Sequence, residues 1–145
     1  MIRGPVVALI ASLASPAAAA EFRLEVGGTP ALDVRGECRV VTDAGETERA
    51  DFRAWSPKVY LVDGVAVSCT VQKMDPFGRL EVKLLSDHAP IAEADTAASF
   101  NWVRVRSDGP WGRALGLRGH QPLILFGPGP EGARPPPVVG GPGVR

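Results

Sequence analysis

Leu32-Asp33-Val34-Arg35-Gly36-Glu37-Cys38-Arg39-Val40 alternates without a break: Leu, Val, Gly, Cys and Val hold the even positions, and Asp, Arg, Glu and Arg the odd ones. Successive side chains of an extended strand point to opposite faces, so this run has one face for a core and one for water, as in an antiparallel sheet. The same period recurs at Phe22, Leu24 and Val26, at Val65, Val67, Cys69 and Val71, and at Leu80, Val82 and Leu84. Residues 50–54, 58–62, 91–96 and 100–106 read as further strands. Between them lie turn residues: Gly27-Gly28-Thr29-Pro30, Asp43-Ala44-Gly45, Val62-Asp63-Gly64, Asp75-Pro76-Phe77-Gly78 and Ser86-Asp87-His88-Ala89. In the fourth, Pro sets φ and Gly takes the left-handed position of a hairpin bulge. Nothing after residue 20 keeps a helical period over three turns. The expected fold is all-β: a small antiparallel β-sandwich of seven or eight short strands over residues 21–106, with a small barrel as the alternative closure.

Cys38 and Cys69 each fall on the apolar face of a strand, so both thiols are expected in the core, joined as one disulfide. Closing a loop over that separation contributes roughly 3 to 4 kcal/mol on the chain-entropy estimate. The alternative, a redox-active pair, calls for a reactive thiolate and commonly a Cys-x-x-Cys arrangement, which this sequence lacks. Cys38, Trp55 and Cys69 on successive strands resemble the immunoglobulin-like pattern over the middle third of the chain. That family places a Tyr two residues before the second Cys, where this chain has Val67. The resemblance implies the sandwich architecture and carries over no functional residue.

Residues 1–20 read as a cleaved secretory signal peptide. Arg3 supplies the positive start, residues 6–14 the apolar stretch, and Ala18-Ala19-Ala20 the small-residue cleavage pattern before Glu21. The apolar run is too short to span a bilayer, which needs about 20 such residues, so no membrane anchor is expected after cleavage. The expected location is the periplasm or the extracellular space, where a disulfide persists.

The 145-residue chain carries 16 basic and 16 acidic residues. That balance argues against a strongly basic nucleic-acid binder. Within it, residues 21–100 hold 9 basic and 14 acidic groups, and residues 101–145 hold 6 basic and 2 acidic. Residues 107–145 contain ten Gly and eight Pro and read as a disordered Gly/Pro-rich tail. Two islands interrupt this tail. Pro110-Trp111-Gly112 could tuck a Trp against the end of the domain. Leu123-Ile124-Leu125-Phe126 is an apolar plug, expected either to pack as an edge strand or to dock on a partner.

Candidate chemistry is sparse. His88 and His120 are the only imidazoles, and two Cys and two His cannot build a four-ligand zinc site of the usual kind. Ser86-Asp87-His88 holds the triad residue types but sits in a turn, and no Gly-x-Ser-x-Gly elbow occurs. Glu93 and Asp95 form a carboxylate pair on one strand face. Arg104 and Arg106 share a strand face near Trp102 and Trp111, a candidate surface for an anionic or aromatic ligand. No catalytic residue, metal or cofactor is assigned. The leading expectation is an exported, non-enzymatic binding module with a protein partner in the cell envelope and no nucleic acid. The alternatives are a carrier of a small apolar or anionic ligand and a carboxylate-dependent hydrolase.

Overall fold

A computed structural model describes residues 19–119. Nine strands occur among them: β1 (Ala20–Gly28), β2 (Asp33–Val41), β3 (Thr47–Trp55), β4 (Lys58–Gly64), β5 (Ala66–Lys73), β6 (Leu80–Ser86), β7 (Ala89–Thr96), β8 (Trp102–Arg106) and β9 (Leu115–Arg118). They form two antiparallel sheets, ordered β4-β1-β6-β7 and β3-β2-β5-β8-β9. The expected β-sandwich is therefore present. All four strongly alternating runs and all four weaker ones are strands, and their core-facing residues lie where the period put them: Phe22, Leu24, Val26, Val34, Cys38, Val67, Cys69, Val71, Leu80, Val82 and Leu84 are all buried.

Two features depart from the period-two reading. β5 is the middle strand of the five-stranded sheet, and its outward side is covered as well: Ala66, Thr70 and Gln72 are buried alongside its core residues. The second departure is at residue 106, where the folded unit was expected to end. Ser107 is buried and donates its backbone N–H to the Val67 carbonyl at 2.9 Å. Leu115–Arg118 then adds a ninth strand to β8. Glycine makes this strand possible: a Cβ at Gly116 would lie 2.0 Å from the Glu93 carbonyl oxygen, so only a bare backbone lets β9 approach β7. The high Gly content read as a tail signal serves here as a packing device.

Cys38 and Cys69 form the expected disulfide. They are register partners on neighbouring strands β2 and β5, so the bridge lies within one sheet. In immunoglobulin domains the disulfide joins the two sheets and a buried Trp packs on it. Here Trp55 is 55% exposed. The likeness thus extends to two packed antiparallel sheets and stops there.

The sheets are laced at both corners. Ser56 is buried between β3 and β4, next to a cis Ser56–Pro57 bond; its hydroxyl accepts from the Leu32 N–H at 3.0 Å and donates to the Thr29 carbonyl. Between the edge strands β3 and β4, the Phe52 ring lies over Gly36 and meets the Tyr60 ring at 4.5 Å between centroids. At the end of β5, Lys73 is fully buried, and its Nζ donates to the carbonyls of Phe77 (3.1 Å), Gly78 (2.8 Å) and Ala97 (3.4 Å). Among the described residues, no helix is long and apolar enough to cross a membrane.

Candidate functional site

The outward residues of the five-stranded sheet form a lattice set by strand register. One row runs Arg53, Arg35, Gln72, Trp102; the next Asp51, Glu37, Thr70, Arg104; the third Arg49, Arg39, Ser68, Arg106. Neighbouring strands lie about 4.8 Å apart, so each row spans roughly 14 Å. Six arginines and three carboxylates (Asp33, Glu37, Asp51) share this face. The outward face of the other sheet has the reverse balance. Glu21, Glu25, Asp63, Glu81, Glu93 and Asp95 stand there with Arg23, Arg79 and Lys83. Among the described residues, a charge asymmetry runs through the thickness of the sandwich, besides the one along the chain.

Like charges directly opposite one another weaken a sheet. Arg39 faces Arg49, and Arg35 faces Arg53. Glu37 relieves the first pair: only 8% exposed, it accepts from Arg39 Nε at 3.2 Å and lies 3.3 Å from Arg49 Nε. In the second, Arg53 is held by Asp33 at 3.3 Å and lies over the Trp55 ring at 5.0 Å from its centroid. Arg104 donates through Nε to Thr70 Oγ1 at 2.8 Å and lies over Trp102 at 5.1 Å. Among the described residues, the polar contacts of Arg39 and Arg104 thus run through Nε, and no hydrogen bond leaves their terminal nitrogens. Such a planar fork matches the two oxygens of a carboxylate, sulfate or phosphate.

Of the residues singled out from sequence, Trp102, Arg104 and Arg106 do share a face. Arg106 is turned to the fold itself: its Nε donates to the Arg113 carbonyl at 2.9 Å and its guanidinium packs on Gly112. Trp111 belongs to the β8–β9 connection, half-buried, beside the isolated bridge between Gly109 and Gly112. Leu123, Ile124, Leu125 and Phe126 lie outside the described residues, as do His120 and most of the signal segment. Arg35, Glu37 and Arg39 were legible only as outward strand positions, Arg53 only as part of the strand read over residues 50–54, and Arg49 fell outside that strand, which in the structure begins at Thr47. Nothing local in the sequence tells that β3, β2, β5 and β8 lie side by side.

The hydrolase candidates do not converge. Asp87 and His88 are exposed and form the two-residue turn of the β6–β7 hairpin, both at positive φ. That is a backbone region where Asp and His are enriched among non-glycine residues. Asp95 pairs with Arg79, and with Glu93, Glu25 and Glu81 it lines an open groove of about 610 Å³ that also meets Lys58 and Lys83. Among the described residues no group of three or more His, Cys, Asp or Glu is placed to hold a metal ion.

No protein-family model and no curated protein matches this sequence.

Proposed function

We propose that this chain is an exported recognition module that acts by binding, and that the outward face of its five-stranded sheet engages an anionic ligand in the cell envelope. The observation that carries this reading is the gathering of six arginines from three strands onto one sheet face, two of them hydrogen-bonded through Nε alone among the described residues. Export is supported by the signal-like residues 1–20 and by a disulfide in the core, with which an oxidising compartment is compatible.

Two measurements test the reading. Protein recovered from the periplasm or culture medium is expected to begin at Glu21 by intact mass; retention of residues 1–20 would remove the export claim. Immobilised wild-type protein is expected to retain material from an envelope extract, less so as salt rises, because exposed charges are screened. The Arg39→Glu/Arg104→Glu double variant is expected to lose that retention. Equal retention by both forms would refute the use of this face.

A further inference from the structure

Resting on the reading of the five-stranded face as the binding surface, we infer that its ligand is an acidic polysaccharide laid across strands β3, β2, β5 and β8. Three features of the face select it. The first is the spacing of charge. Asp33, Glu37 and Asp51 stand among the arginines and are held by Arg53, Arg39 and Arg49, so the positive groups of this face are interrupted by negative ones. A phosphodiester backbone carries a charge on every unit and would meet these carboxylates as like charges. An acidic sugar chain separates its anionic groups with neutral hydroxyls, which suits an interrupted array of arginines.

The second feature is shape. The face is a sheet surface with rows of about 14 Å, which suits an extended chain rather than a compact molecule. Trp55, 55% exposed beside Arg53 and Asp33, offers a flat apolar ring at one end of this surface. Ser68, half-buried in the middle strand, adds a hydroxyl that both donates and accepts. The third is polarity across the sandwich: six carboxylates on the opposite face repel a polyanion, so its approach is directed to one side.

The test uses the full chain, titrated by calorimetry with polygalacturonate, dextran sulfate, neutral dextran, single-stranded DNA and vesicles of phosphatidylglycerol and phosphatidylcholine. Binding to polygalacturonate or dextran sulfate, and not to neutral dextran, is expected; the stronger of the two tells whether carboxylate or sulfate is read. Arg53→Glu and Arg104→Glu are each expected to weaken it about tenfold or more, as for loss of one charged hydrogen bond. Lys83→Glu, on the opposite sheet, should change it little. Thermal melts report the fold of each variant, and Arg39→Gln, at an exposed position, replaces any that fails to fold. Binding of DNA or vesicles through these same arginines, with no polysaccharide bound, would overturn the polysaccharide and keep the face. Polysaccharide binding indifferent to the arginine variants, or no binding to any probe, would overturn both.

Discussion

Lys73 and Gly36 show how single residues hold this sandwich together. Lysine is seldom fully buried, and Lys73 is tolerated because its ammonium donates to three loop carbonyls, tying the 75–78 and 97–100 connections to the end of β5. Lys73→Met leaves those carbonyls without a charged donor and is expected to cost about 1–3 kcal/mol in urea unfolding. Burial lowers the Lys73 pKa from 10.5, with nearby Asp75 opposing the shift. Between the lowered value and 10.5 the unfolded chain holds the proton more tightly than the folded one, so the stability linked to this residue rises with pH across that window. The advantage of wild type over Lys73→Met should therefore widen as pH climbs toward 10.5. Tyr60, whose pKa burial raises, is common to both proteins and cancels. At Gly36 a Cβ would lie 2.1 Å from Cζ of the Phe52 ring, which packs on Tyr60. Gly36→Ala is expected to cost about 1–3 kcal/mol through displacement of that ring, with lost Phe52–Tyr60 contact visible in the near-ultraviolet circular dichroism.

β9 is the element that a reading of composition misplaces. Gly and Pro dominate residues 107–145, and such a stretch ordinarily lacks the apolar surface to offset its ordering entropy. Yet Leu115–Arg118 pairs with β8 along its length, and Ser107 secures the strand exit through Val67: its hydroxyl accepts from the Val67 N–H at 2.9 Å. Asn101 adds a tie by donating to the Gly119 carbonyl at 2.9 Å. A chain ending after Arg106 would expose the β8 edge and the flank of β7. Its melting temperature is expected to fall by more than ~5 °C relative to the full chain, the shift about 1 kcal/mol makes in a domain of this size. An unchanged melting curve would show that β9 adds nothing to cooperativity.

For the molecule as a whole, the disulfide is the largest single constraint on the unfolded chain. It ties β2 to β5 at the middle of the larger sheet, with Cys69 fully buried and Cys38 nearly so. Reduction, or the Cys38→Ala/Cys69→Ala double variant, is expected to lower stability by roughly 3 to 4 kcal/mol. The check is the urea midpoint with and without reductant. A sandwich that keeps its midpoint after reduction would place its stability in the remaining core.

The alternation of residues was enough to locate four strands, their buried faces and the two sulfurs, because period two is a local property that each strand writes in its own side chains, while four further strands were legible only as short segments between turn residues. Arg104 and Arg106 stood out for the same reason, as neighbours on one strand beside a Trp. Their company on the sheet did not, since Arg53, Arg35 and Arg104 come together only through the order β3-β2-β5-β8, which depends on pairing between distant segments. β9 needed the same non-local information: four residues with two leucines become a strand because β8 offers an edge and Gly116 fits against Glu93. Side-chain periodicity declares which way a strand faces. Which strands stand beside it, and so what kind of surface it helps build, is settled only when the two sheets assemble.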